Sequence, residues 1–301
     1  MVLSRNFTFP TFPHIPHIPH IPALPNFINI NGKLLPAEDA GISPDSRAFR
    51  YGYGLIETML FRDGNIRLAQ YHWERLFEGL DLLHIHYPKY FREELVREVQ
   101  RTVQKNRRES FCRVRLQVYA GDGGFYDGDH FSARYVIQTF PLETAVVEWN
   151  ETGLVTGISE VIKHTGAYAH LKTCSALPYI LAARQAKAAL WNDAILLNEH
   201  GRVADSTIAN IFWVKSQRIY TTPLSEGCVS GVMRRHLLEI LPTLGYIVVE
   251  EPLHTEELSS LEGVFLCNAI RALRWVKEVD THIFKAVGLQ DLWYKLAPNL
   301  L

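Results

Sequence analysis

The stretch from His170 to Phe212 constrains this chain more than any other. It sets Lys172 just ahead of a helix-like run over 176–190. An apolar strand over 194–198, a turn at Gly201, the lone acid Asp205 and a second apolar strand over 208–214 come after it. Elements in that order can bring an amine and a carboxylate to one pocket from different directions. An amine that loses solvent has a lowered pKa, which imine chemistry requires. Taken singly, Lys172 reads as an ordinary surface lysine and Asp205 as a turn or cap residue.

A chain of 301 residues has room for two domains with sizeable cores. Its formal net charge of -1 gives no electrostatic reason to expect nucleic acid or an anionic membrane as partner. No apolar run reaches the roughly 18–20 residues of a membrane span, and the N-terminus lacks the basic-then-apolar layout of a secretory signal. Cys112, Cys174, Cys228 and Cys267 form neither a CxxC nor a Cys/His zinc pattern. Reduced thiols in the cytoplasm, with no metal site, are the expectation.

Residues 1–26 differ in kind from the rest of the chain. Phe9-Pro-Thr-Phe-Pro leads into three copies of His-Ile-Pro between His14 and Pro22. Proline at every third position blocks helix and ladder alike and favours an extended or disordered tail. From Phe27 the pattern predicts a strand ending at the Asn31-Gly32 turn and a glycine-interrupted strand over 47–61. An amphipathic helix over 69–83 comes next, with Leu76, Leu80 and Leu83 on one face and Arg75 beside them. A second helix near 90–106 and strands at 111–119, 133–140 and 154–162 complete the first half.

The second half predicts the 176–190 helix, strands at 194–198, 208–214 and 218–221, and a helix over 232–241 entered through Gly227 and Gly231. A strand at 247–251, a short helix at 256–261, strands at 264–268 and 274–279 and a terminal helix near 289–296 close the chain. Helices and strands mixed in both halves predict an α+β protein of two domains with its active site in the cleft between them. The expected division is a small N-terminal domain over 27–145, an interdomain segment over 146–170 and a larger C-terminal domain over 171–301.

Gly227-Cys-Val-Ser-Gly231 opens directly into the helix at Val232, where free N–H groups and the helix dipole suit a phosphate. Arg75, on an apolar-faced helix, can pair with such a phosphate or solvate that face. An amine, a carboxylate, an anion-binding helix start and an arginine together match pyridoxal 5′-phosphate. Its aldehyde needs a lysine, its ring nitrogen an acid, and its phosphate N–H donors and a cation.

Six stretches carry the likeness further: Tyr51-Gly-Tyr-Gly-Leu-Ile-Glu57-Thr, His72-Trp-Glu-Arg75-Leu, Leu171-Lys172-Thr, Asn198 to Phe212, Thr222-Pro to Arg234, and Leu266-Cys-Asn268-Ala269. In this order, over about 27–276, the chain resembles the class IV aminotransferases. These are fold-type IV pyridoxal-phosphate enzymes that include branched-chain and D-amino-acid aminotransferases and aminodeoxychorismate lyase. The resemblance implies that Lys172 forms the Schiff base and shuttles a proton between Cα and C4′, and that Asp205 faces the ring nitrogen. It implies that Arg75, with N–H groups at Val232 and Met233 and around Asn268 and Ala269, holds the phosphate. Arg113 and Arg115, two apart on one strand face, fall where family members bind the substrate carboxylate, and Tyr51 and Glu57 fall in the strand lining the substrate pocket. A homodimer is implied as well. The expected activity is exchange of an amino group between an amino acid, branched-chain ones among the candidates, and a 2-oxo acid. The nearest alternative is aminodeoxychorismate lyase, giving 4-aminobenzoate and pyruvate; a third is a cofactor-binding member without turnover.

The departures are specific. Asp205 stands where the family usually has Glu. Leu177 stands where branched-chain enzymes carry a tyrosine five residues after the lysine, so the contact to the cofactor's phenolic oxygen is unassigned. Trp275 replaces a common proline. Glu57-Thr58 leans away from the branched-chain enzymes, and Cys267-Asn268-Ala269 leans towards the lyases.

Overall fold

The computed structural model describes residues 26–123, 125–126, 131–286 and 288–300; the His-Ile-Pro repeats fall outside these. Its first sheet is antiparallel throughout and is built from β1 (Phe27–Ile30), β2 (Lys33–Pro36), β3 (Gly54–Arg62), β4 (Asn65–Ile66), β5 (Phe111–Ala120) and β6 (Ala133–Pro141). The strand order is β2-β1-β6-β5-β3-β4. One face is covered by α2 (Ala69–Leu82) and α3 (Phe91–Lys105), whose Leu76, Leu80, Leu95 and Val99 pack with Val114, Leu116 and Val118 of β5. The period-two alternation of β5 therefore sends Arg113, Arg115 and Gln117 to the opposite face. That face borders the candidate site.

The glycine-interrupted strand expected over 47–61 is two elements, α1 (Arg47–Tyr51) and β3. Gly52 takes the left-handed conformation at φ 66° and ends the helix, a position that costs glycine little. At Gly54 a Cβ would lie 2.7 Å from Val118 O, so only glycine lets β3 begin this close to β5.

The second sheet comprises β7 (Leu154–Ile162), β8 (Asp193–Leu197), β9 (Val203–Ser206), β10 (Asn210–Lys215), β11 (Arg218–Thr221), β12 (Val248–Glu250), β13 (Gly263–Asn268) and β14 (Ala272–Val279), with β15 (His282–Ile283) paired to β14. Its order is β12-β11-β10-β13-β14-β7-β8-β9. Both faces are buried, which explains its nearly continuous apolar strands. On one face Phe212 and Phe265 pack with Leu237 and Leu241 of α5 (Val232–Thr243) and with Leu292 of α6 (Leu289–Leu300). On the other, Ile211 and Trp213 pack with Leu253, Leu258 and Leu266. α4 (Leu177–Ala188) lays Ala182 and Ala186 against Ala194 and Leu196 of β8.

β7 departs from the sequence reading, which counted 154–162 with the strands of the first half and put it in the interdomain segment. It runs parallel to both β8 and β14 and so belongs to the second sheet. Parallel partners are distant in sequence, and local alternation carries no trace of them. After β7 the chain crosses back to the first sheet. Leu171 joins the core beneath α2, Ile56 N–H donates to Lys172 O at 2.9 Å, and Cys174 N–H donates to Gly54 O at 2.8 Å. Lys172 is thus carried on a segment stitched to β3, between stretches of chain that belong to the other sheet. No helix among the described residues is long and apolar enough to cross a membrane.

Candidate active site

A cavity of about 320 Å³ lies between the two sheets. Lys172, Arg75, Arg113, Asp205, Val232, Met233, Asn268 and Ala269, eight residues singled out in the sequence, all line it. Tyr51, Glu57 and Arg115 do not. Tyr51 borders a separate depression with Arg47 and Phe131, its ring 4.9 Å from that of Tyr126. Arg115 lies along β5 and donates to Gln117 Oε1 at 3.1 Å. Glu57 is buried behind the cavity wall at 2% exposure.

Lys172 is half-buried. Burial first, and then the guanidinium of Arg75, push its ammonium below the usual lysine range. The free amine is therefore available at lower pH than in an exposed lysine. No aspartate or glutamate is ion-paired to it within the described residues.

Asp205 occupies β9, not a turn or cap as its sequence read singly suggests, and is 2% exposed. The turn comes earlier, at Gly201, where φ is 73°. Four donors converge on the carboxylate. Oδ2 accepts from Val229 N–H at 2.8 Å, Tyr179 Oη at 3.1 Å and Lys163 Nζ at 3.3 Å; Oδ1 accepts from Asn210 Nδ2 at 2.9 Å. Burial raises the carboxyl's pKa, and Lys163 is the strongest influence opposing it. Sequence reasoning missed Lys163, Asn210 and Tyr179. Leu177, which holds the position of the family tyrosine, is 61% exposed at the start of α4. Two residues on, about 200° around the helix axis, Tyr179 faces Asp205. Its spacing from the lysine is two longer than the pattern sought.

Arg75 leaves α2 towards the start of α5. Glu57 grips it through Oε1 to Nε at 2.8 Å and Oε2 to Nη2 at 2.6 Å, while its Nη1 donates to Ser230 O at 3.0 Å. His72 Nδ1 meets the same Glu57 at 2.5 Å. Burial alone would raise the Glu57 carboxyl; Arg75 and then His72 overcome it and hold its pKa down at about 2. Burial likewise pushes the His72 imidazole towards its neutral form, against the pull of Glu57. Of the five N–H donors of a guanidinium, three are taken here, and the remainder are free for an anion.

The first intrahelical bond of α5 is Arg235 N–H to Gly231 O at 2.9 Å, so the N–H groups of Val232 and Met233 precede the ladder and border the cavity. Gly231, at the N-cap, abuts the side chain that steadies the acid. A Cβ there would lie 1.8 Å from Asn210 Oδ1, and Asn210 Nδ2 bonds both Asp205 and Val229 O, the latter at 2.8 Å. Gly231→Ala is accordingly expected to displace Asn210 at a cost of about 1–3 kcal/mol and to weaken cofactor binding. A thermal melt and a cofactor titration check this; an unchanged midpoint and affinity would contradict it.

This donor set fits pyridoxal 5′-phosphate. A depressed amine, a buried carboxylate and a helix start beside a partly uncommitted arginine are what its aldehyde, ring nitrogen and phosphate each need. Fold and site together are those of a pyridoxal-phosphate enzyme. The chain belongs to the class IV aminotransferase family, whose model matches residues 54–279. It is 28% identical over 227 residues to the aminodeoxychorismate lyase of Vibrio harveyi, covering 74% of this chain and 82% of that one. It is 25% identical over 255 residues to a probable branched-chain-amino-acid aminotransferase of Rickettsia felis, covering 83% and 86%. The branched-chain aminotransferase of the thermophilic archaeon Thermoproteus uzoniensis, solved with norvaline, superposes with a TM-score of 0.81 at 23% identity, over 91% of this chain and 94% of that one.

Proposed function

We propose that this enzyme is an aminotransferase moving an amino group between an amino acid and a 2-oxo acid, with Lys172 as its amine. One observation carries the reading: the depressed lysine, the buried Asp205 and the α5 start border a single cavity. When bound, the cofactor supplies an aldehyde that condenses with amines and a ring that accepts the electron pair released at the substrate Cα. The chain's own residues do the rest. Lys172 Nζ holds the cofactor, yields to the incoming amine and then takes up the Cα proton. Asp205 pairs with the ring nitrogen. Arg75 and the N–H groups of Val232 and Met233, with those around Asn268 and Ala269, receive the phosphate.

Arg113 would take the substrate carboxylate. It lines the cavity, its guanidinium lies 4.4 Å from the Phe140 ring centre, and burial lowers its pKa, with Arg115 and Arg271 adding to the effect. Glu57 is assigned to Arg75 rather than to substrate. We assign Tyr51 and Arg115 no contact within this chain's own cavity; a second copy in a homodimer is their remaining route to a site. The four free thiols are in keeping with the cytoplasm.

A second reading, aminodeoxychorismate lyase, is favoured by the Vibrio harveyi relative and by the Cys267-Asn268-Ala269 stretch. Two assays separate them. Stoichiometric conversion of leucine or D-alanine to its 2-oxo acid by the loaded enzyme is the expected result. Formation of 4-aminobenzoate from aminodeoxychorismate, without amino transfer to any 2-oxo acid, would replace the first reading by the second.

A further inference from the structure

Lys163 follows β7 directly and is 7% exposed, yet it does not line the cavity. A buried ammonium is costly unless paired, and its recorded carboxylate partner is Asp205 Oδ2 at 3.3 Å. It also lies 5.2 Å from the centre of the Tyr179 ring, whose hydroxyl donates to the same oxygen. With Val229 N–H, three donors load Oδ2, whereas Oδ1 receives Asn210 alone. A carboxylate oxygen accepts about two hydrogen bonds, so the spare acceptor capacity of Asp205 sits on Oδ1. The two oxygens are unequal by construction.

We propose that Lys163 is a positioning residue: a fixed counter-cation behind the site that keeps Asp205 ionised and, with Tyr179, ties up Oδ2 so that Oδ1 serves the cofactor's ring nitrogen. This rests on the assignment of Asp205 to that nitrogen. It also gives an aspartate, one methylene shorter than the usual glutamate, a fixed orientation there. The acid is not free to swing and is held by elements on three sides: Lys163 after β7, Tyr179 from α4, and Val229 ahead of α5. The other titratable groups that Asp205 influences are Lys172, Cys228 and Cys267, and burial raises both thiols, so neither is an anion at neutral pH. Lys163 is thus the one cation bonded to this acid among the described residues.

The test uses Lys163→Met, Lys163→Arg, Asp205→Asn and the Lys163→Met/Asp205→Asn double variant, in two experiments. In the first, infrared spectra of the cofactor-free proteins at neutral pH report carboxyl protonation. Lys163→Met is expected to gain a protonated-carboxyl band that wild type, Lys163→Arg and the double variant lack. In the second, affinity is measured for pyridoxal phosphate and for its deaza analogue, which lacks the ring nitrogen. Wild type should favour the true cofactor by about ten- to a hundredfold, the worth of one charge-assisted hydrogen bond. Lys163→Met should lose that preference and Lys163→Arg should keep it.

A folded Lys163→Met that shows no new band and retains the preference overturns the proposal. If Lys163→Met does not fold, the double variant, which buries no lone charge, should; failure of both to fold while Asp205→Asn folds would make Lys163 merely structural and also overturn it. A wild type with no preference, matched by Asp205→Asn, would instead remove Asp205 from the ring nitrogen, a separate failure of the underlying assignment.

Discussion

Lys172→Ala is expected to lower turnover by at least about a thousandfold, because the proposed mechanism gives this one side chain both tasks, holding the cofactor and moving the Cα proton. The loss should be chemical, not structural. Lys172 packs no core, and its segment is fixed through backbone bonds from Ile56 to Lys172 O and from Cys174 to Gly54 O, which alanine preserves. The variant should therefore melt close to the parent temperature and still bind the cofactor reversibly through Arg75 and the α5 start. Added small amines should restore part of the proton transfer. Steady-state rates with and without such amines, beside a thermal melt, check this. Undiminished turnover in a folded variant would remove Lys172 from the mechanism.

The second large effect is at Glu57. Its carboxylate joins β3 to α2 through Arg75 and His72, and Arg75 then reaches across to Ser230. Glu57→Gln leaves a buried guanidinium facing a neutral amide, and breaking a buried pair this way costs about 3–5 kcal/mol. Loss of cofactor affinity should accompany it, since the arginine's aim depends on both carboxylate oxygens. The pH dependence has a definite sign. The folded carboxyl is held at about 2, below its ordinary value. Its stabilisation is thus complete above the unfolded value of about 4.3 and fades as pH falls through the folded one. The stability gap between wild type and Glu57→Gln should be full at neutral pH and shrink steadily in acid. Denaturant melts across that range check it; a gap that stays constant or widens in acid would contradict the assignment.

Much of the site is legible in sequence because its principal groups sit on strong local signals. Gly227 and Gly231 mark a helix start, and Lys172 lies just ahead of the helix that begins at Leu177. Arg75 rides an amphipathic helix, and the alternation of β5 orients Arg113. What escaped lies where tertiary pairing decides. β7 joins the second sheet through parallel partners from 193–197 and 272–279, and nothing local announces them. Lys163, at the end of that strand, looks like any solvated lysine until the sheet is closed and Asp205 stands beside it. Glu57 and Thr58 are neighbours on β3, yet alternation sends Thr58 to the cavity and Glu57 to the interior behind Arg75. The sequence motif contains both residues but does not say which of them faces inwards.

The most direct test of Lys172 as the enzyme's amine is the site of covalent attachment. The protein is loaded with pyridoxal 5′-phosphate, reduced with borohydride, digested and mapped by mass spectrometry. One phosphopyridoxyl label per chain, on Lys172, is the predicted result. A label on another lysine, or none in protein that binds the cofactor, would contradict it.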